Sequence, residues 1–439
     1  MVAGLIVRTL FAVAAVRGWY VKQIDFITTF LNGALPETET VYTIQPKGYE
    51  QGSGLVCRLN QGLYGLKQAA KIWYDTLTGL LKDLGFVPNQ WDAGLWYNKE
   101  KQAYITLYVD DCKLIGPDEA VLDEIARQIA QRFRIKELGH ARHYLGMKVR
   151  NIGGKIHLSQ GAYIRQLLDD WSMTNCNAVA TPMTNGLVIT DQPTGDGGGF
   201  TLDDYISLIG SLQFLATYTR PDIAYATGFL ARYNKAPTPQ CWKAAKHVLR
   251  YLKGTIDHGI LFHGKQGYSL VAYSDADWAG DTTDRKSTTG SLIKVAGGPI
   301  YWRSTKQGSV SLSTTEAEYI AASETAKNVV VTRGILEDMA ITEPDFAFPL
   351  LIDNTGAIAV SGGEKVTRNA RHIDIRYHHI RDLIAKGLIK VLHIESNKMA
   401  ADGFTKALPE PTFKEFRDLI GVSGPIEADI DGEDRLKED

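Results

Sequence analysis

Residues 106–116 read TLYVDDCKLIG, with two adjacent carboxylates, Asp110 and Asp111, set inside an otherwise apolar run. The run has the β-branched and aromatic make-up of a strand. Two carboxylates about 4 Å apart repel by roughly 4 kcal/mol at the effective dielectric of a protein surface. The fold must therefore offset that repulsion. One offset is the solvated tip of a hairpin, where Asp is a common turn residue. The other is a divalent cation held between the two acids.

A chain of 439 residues is too long for one ordinary core and implies two or three domains. Its apolar and charged fractions, 44% and 22%, are those of a globular protein. Cys57, Cys112, Cys176 and Cys241 lie far apart with no CxxC spacing, which points to a reducing compartment and away from a zinc ribbon or disulfide framework. The opening MVAGLIVRTLFAVAAVRGWYV has the apolar length of a signal peptide, but Arg8 interrupts it and no basic segment precedes it. It reads as a buried helix leading into a strand. No other stretch approaches the roughly 20 apolar residues of a membrane span, so the expectation is an intracellular protein, cytoplasmic or nuclear, with no membrane partner. The net charge is −2, and the last 17 residues hold seven acids and two bases, a net of −5, so the remainder carries −2 − (−5) = +3. The tail, 423–439, reads as acidic and disordered.

Residues 184–200, TNGLVITDQPTGDGGGF, form the clearest linker. Ahead of it, VKQIDFITTF and YITLYVDDCKLIG read as strands, and AAKIWYDTLTGLLKDLGF and DEAVLDEIARQIAQRF as helices. Behind it, Trp242, Ala245, Leu249 and Leu252 recur at helical spacing, with Lys243, Lys246, Arg250 and Lys253 one position on. The basic stripe is either a solvated face or a surface that tracks phosphates. From 269 onward the order is three strands, a helix, a strand, helices, a fifth strand and a closing helix beginning near Lys398.

Phosphoryl transfer on nucleic acid is served by two divalent ions roughly 3.5–4 Å apart, held by carboxylates drawn from separate strands. Asp25 at the end of VKQID, with Asp110 and Asp111, makes such a set if the strands pair. YVDD (108–111) resembles the catalytic hairpin of reverse transcriptases, and its surroundings resemble the copia-type retrotransposon branch: QIDFITTFLNG (23–33), LYGLKQAAKIWY (63–74), YLGMKV (144–149), RPDIAYATGFLARY and WKAAKHVLRYLKGT follow in the family's order. The resemblance implies that Asp25, Asp110 and Asp111 bind two catalytic Mg²⁺ ions, with Mn²⁺ as a substitute. It further implies that Phe30 gates the sugar, Gln68 lines the nucleotide and template pocket, and Tyr108 sits beside the primer end.

YSDADWAGD, DRKSTTG, LSTTEAEYIAAS, LIDNTGAI, RHIDIRYHHIRD and MAADGFTKAL resemble the ribonuclease H domain of the same elements. That resemblance places four metal-binding, catalytic carboxylates at Asp275, Glu318, Asp353 and, in the final helix, Asp402, with Asp277 and Glu316 as rivals. Their implied chemistry is attack of water on the RNA strand of an RNA–DNA hybrid. His372, His378 and His379 lack a cysteine or acid to complete a zinc set. Arg368, Arg371, Arg376 and Arg381 are better suited to phosphate, and His393 reads as a core residue.

Two positions depart from the family, Ala70 where it often has Pro and Ile27 where it often has Lys. The family's fingers, with a Lys and an Arg for the triphosphate, lie upstream of where this chain starts. The expected fold is α/β and α+β multidomain: a reverse transcriptase palm and thumb with fingers largely missing (1–183), the linker, a helical connection (201–262), a ribonuclease H-like αβ domain with a C-terminal helix (263–422), and the tail. The implied partners are an RNA template, a DNA primer, an RNA–DNA hybrid and deoxynucleoside triphosphates. The nuclease is the stronger expectation of the two activities, and the alternative is a catalytically idle nucleic-acid-binding remnant.

Overall fold

A computed structural model describes residues 3–190, 199–281, 284–362 and 374–426, with the side chains of 266 and 374–378 left aside. It divides into two compact units, Gly18–Ala141 with Ala3, and Gly4–Arg17 with Arg142 onward.

The first unit is a six-stranded sheet ordered Val87–Pro88, Leu95–Asn98, Ala103–Tyr108, Asp111–Gly116, Tyr20–Phe26 and Ile135–His140. All neighbouring strands are antiparallel. Residues 104–116, expected as one strand, are two strands joined by the two-residue turn Val109–Asp110, with Tyr108 opposite Asp111. The expected strand VKQIDFITTF stops at Phe26. Thr28 adopts a left-handed φ of 52° and a 3₁₀ turn, Thr29–Asn32, follows. Helices Ala69–Asp83 and Glu119–Ala130 cover one face of the sheet; Leu122, Ile125, Ala126 and Ile129 join its core at helical spacing, and Asp118 caps the second helix through Ala120 N and Val121 N.

The second unit holds two sheets. One runs Val422–Ser423, Gly259–His263, Lys155–Ser159, Met147–Ile152, His143–Tyr144. The other runs Gly298–Lys306, Thr288–Val295, Val271–Asp277, Phe348–Ile352, Ile389–His393. In this second sheet the first three strands pair antiparallel and the last two join in parallel, and the 25-residue helix Thr314–Asp338 is buried along most of its length. His393, expected in a core, is exposed, because it ends the edge strand of this sheet. The expected closing helix near Lys398 is instead two short 3₁₀ turns, Ser396–Lys398 and Asp402–Phe404, followed by helix Glu410–Leu419 behind Pro409.

The opening segment is a helix, Gly4–Arg17, buried from Ile6 to Ala15 and followed by the Tyr20–Phe26 strand. Arg8 does not break it. Its guanidinium lies 4.2 Å from the Trp302 ring centroid and donates to the carbonyls of Ile300 (2.7 Å) and Thr217 (3.0 Å). Burial pushes its pKa down to about 9. Arg8→Leu should destabilise the unit by about 2–4 kcal/mol, because each buried carbonyl left without a donor costs roughly 1–3 kcal/mol; urea unfolding measures this, and a change below about 0.5 kcal/mol would show the guanidinium to be dispensable. No helix among the described residues is long and apolar enough to cross a membrane.

Candidate functional site

In the second unit, the Val271–Asp277 strand carries Asp275, with Gly290 as its cross-strand partner. A Cβ at Gly290 would lie 2.5 Å from the Ala401 carbonyl oxygen and 2.8 Å from the Thr405 side chain. The bare glycine is what lets the 401–405 segment sit on the strand, and it brings Thr405 Oγ1 to Asp275 Oδ2 at 3.1 Å. Asp353 follows the parallel strand Phe348–Ile352 and accepts from Ser396 Oγ at 2.9 Å. Glu318 lies early in helix Thr314–Asp338, whose N-cap is Ser313.

Carboxylate oxygens of Asp275, Glu318 and Asp353 lie within 4.8 Å of one another, the one such three-ligand group among the described residues. Asp275 and Glu318 are each 6% exposed. Burial, with Asp402 and Asp353 nearby, pushes the Asp275 pKa up to about 7. Burial, with Asp275 and Asp353 nearby, pushes Glu318 up to about 10. Glu318 Oε2 is buried and meets no hydrogen-bond donor. An orphaned oxygen among crowded hard-oxygen donors is the environment a divalent cation fits.

Asp402 is close enough to act on the Asp275 charge but is not one of the three that lie within 4.8 Å of one another. It sits in a 3₁₀ turn rather than the final helix and pairs with Lys406 at 2.7 Å. Of the rivals, Glu316 turns back to accept Leu312 N at 2.8 Å, a helix-capping role. Asp277 is half-buried, its carboxyl raised by burial and held down by Lys406.

In the first unit, Asp25 and Asp111 are directly opposite on paired strands, and Phe26 N donates to Asp110 O at 3.0 Å. The turn puts Val109 at φ 55°, a costly conformation for a β-branched residue. The buried indole of Trp73 secures it by donating to Val109 O at 2.7 Å. The three acids do not gather as the second unit's do. Lys113, two residues along the strand and on the same face as Asp111, is 1% exposed and its ammonium is bonded to Asp111 Oδ1. Gln23 Nε2 donates to that same oxygen at 3.3 Å. Burial lowers the Lys113 pKa against the pull of Asp111 and Asp25. Two divalent ions do not fit this arrangement as it stands, since Asp111 already neutralises a fixed cation.

Phe30 packs edge-on to Tyr64, centroids 4.5 Å apart, and against the core. Gln68 precedes helix Ala69–Asp83 and donates to Glu39 Oε2 at 2.9 Å. Tyr108 is half-buried at the end of its strand. In the second unit, Lys243, Lys246, Arg250 and Lys253 lie on helix Pro239–Gly254. Two of them serve their own chain: Arg250 donates to Asn177 O at 2.8 Å and Lys246 lies 5.0 Å from the Trp242 ring centroid. Arg381 donates to Val360 O at 2.9 Å. Arg368, Arg371 and His372, the linker from 191 to 198 and the tail from 427 fall outside the described residues, as do the side chains of Arg376 and His378. Sequence reasoning missed Trp73, Lys113, Ser396, Thr405 and Lys406. Strand alternation alone places Lys113 beside Asp111, and Lys406 lies four residues after Asp402, whereas nothing local marks the other three.

A family model described as reverse transcriptase (RNA-dependent DNA polymerase) matches residues 2–185. Over 427 residues the chain is 36% identical to the retrovirus-related Pol polyprotein from transposon TNT 1-94 of Nicotiana tabacum, covering 95% of this chain and 32% of that protein. Over 311 residues it is 30% identical to a putative transposon Ty5-1 protein of Saccharomyces cerevisiae, covering 70% of this chain and 100% of that one. The chain belongs to the reverse transcriptase family of copia-type retrotransposon Pol proteins. Among solved structures, LC11-RNase H1, isolated from compost, is similar at 17% identity and a TM-score of 0.25, covering 31% of this chain and 91% of that one.

Proposed function

We propose that the second unit is a ribonuclease H that hydrolyses the RNA strand of RNA–DNA hybrids, and that the first is the palm of an RNA-directed DNA polymerase. The observation that carries the nuclease reading is the group Asp275, Glu318 and Asp353, the first two buried and the third half-buried, with its orphaned Glu318 oxygen. These three would hold Mg²⁺, with Asp402 joining on release from Lys406. When bound, a pair of such ions supplies an activated water and neutralises charge on the phosphorus centre. The chain's own groups prepare that: Thr405 orients Asp275, Ser396 orients Asp353, and burial keeps Asp275 and Glu318 in low dielectric.

The basic helix face at Lys243 and Lys253, the side chains of Phe30, Gln68 and Tyr108, and contacts to template, primer and deoxynucleoside triphosphates are read in the same way. For the polymerase half, a second reading has a specific observation behind it. The occupied Asp111 favours a nucleic-acid-binding remnant with little turnover.

Purified full chain with Mg²⁺ should cleave a labelled RNA–DNA hybrid in its RNA strand, and Asp353→Asn should lower that rate by about a hundredfold or more, since losing one ligand removes several kcal/mol of charge stabilisation. Cleavage that persists in Asp353→Asn, or none by the unmodified chain, would retire the nuclease reading.

A further inference from the structure

Lys113 is out of place for a site expected to gather three acids around metal. A fully buried ammonium is costly unless it is paired, and here the partner is Asp111, one of the acids expected to chelate. Gln23 takes the same carboxylate oxygen from the neighbouring strand. The strand register makes this unavoidable. Asp111 faces Asp25 and Lys113 faces Gln23 across one ladder, so all four project from one side of the sheet.

We infer that Lys113 acts as a built-in cation at Asp111, excluding one of two divalent ions and leaving this centre with a single, weaker metal site that draws on Asp25. The inference rests on reading Asp25, Asp110 and Asp111 as the acids of a polymerase centre. Its physical basis is charge. A divalent ion approaching Asp111 meets a fixed positive group already bonded to its ligand atom, and must either displace that group from its carboxylate or go without that oxygen.

The test uses the full chain with the nuclease group disabled by Glu318→Gln and Asp353→Asn, and Mn²⁺ as the probe, followed by electron paramagnetic resonance and calorimetry. With Lys113 present, Mn²⁺ should bind this unit with a stoichiometry of one, in a manner lost in Asp25→Asn. Lys113→Met, close in length and uncharged, should raise the stoichiometry to two or tighten Mn²⁺ binding at least tenfold, and should make the melting temperature rise with added Mn²⁺. Two Mn²⁺ ions bound with Lys113 in place overturn the inference, and that measurement holds even if the methionine variant fails to fold. Unchanged binding in a folded Lys113→Met chain, with Asp25-dependent binding intact, overturns the role of Lys113 but leaves the acids as metal ligands. Absence of any Asp25-dependent Mn²⁺ binding in either chain removes the metal-site reading of the acids, and the inference with it.

Discussion

Glu318→Gln is expected to reduce Mg²⁺-dependent cleavage of the hybrid by about a thousandfold while making the metal-free protein more stable above neutral pH. The activity loss follows from removing one of three clustered ligands, worth several kcal/mol of charge stabilisation, at 1.36 kcal/mol per factor of ten. The stability gain follows from linkage. Folded Asp275 and Glu318 have pKa values raised to about 7 and about 10, against roughly 4 in an unfolded chain. The native state therefore binds more protons than the unfolded state across this interval, and stability must fall as pH rises through it. Their contribution is fully present below about pH 4 and is lost progressively as pH passes the folded values. In EDTA the unmodified protein should melt lower at pH 8 than at pH 5, and Glu318→Gln should flatten that slope. Mg²⁺ should reverse the order at pH 8 by stabilising only the unmodified protein. Calorimetric melts at the two pH values, with and without Mg²⁺, check all three statements. A variant that melts lower than the unmodified protein in EDTA at pH 8 would show that burial and the neighbouring carboxylates do not oppose the Glu318 charge.

Asp222→Ala should cost about 3–5 kcal/mol, as breaking a fully buried ion pair by removing one partner does. Arg220 and Asp222 are 0% and 3% exposed. The guanidinium donates Nε to Oδ1 at 2.9 Å and Nη2 to Oδ2 at 2.7 Å, while Tyr251 Oη donates to the same Oδ2 at 2.6 Å. Arg220 also donates to Thr255 O at 2.9 Å and Thr255 Oγ1 at 2.7 Å. Burial opposes the Asp222 charge, but Arg220 and Tyr251 outweigh it and hold the carboxyl below its usual range. That sign is opposite to the one for Asp275 and Glu318: the contribution of Asp222 is present above the unfolded value of about 4 and is lost as pH falls through the folded one. Urea unfolding of Asp222→Ala with an unchanged slope would report the loss directly. A cost below 1 kcal/mol would mean that Arg220 finds another partner.

The RPD stretch shows why some features were legible and others were not. As sequence it marked the helical connection by resemblance, but nothing in three residues says that Arg220 and Asp222 are buried together, since burial is decided by the helices on either side. Arg8 was read correctly as part of a buried helix, yet its partners at Ile300 and Thr217 lie about three hundred and two hundred residues away in the chain.

The identity and order of the acids and the strand and helix periods around them are properties of short stretches, and these were readable from the chain itself. Strand alternation even contained the Lys113–Asp111 contact. Only the tertiary structure decided which acids meet. Asp275, Glu318 and Asp353 converge because a parallel strand and a long helix pack beside the first strand. Asp402 sits in a 3₁₀ turn ahead of the last helix and pairs with Lys406 while still acting on the Asp275 charge. Proximity between residues tens to hundreds of positions apart depends on packing and pairing register, and no local preference carries that information.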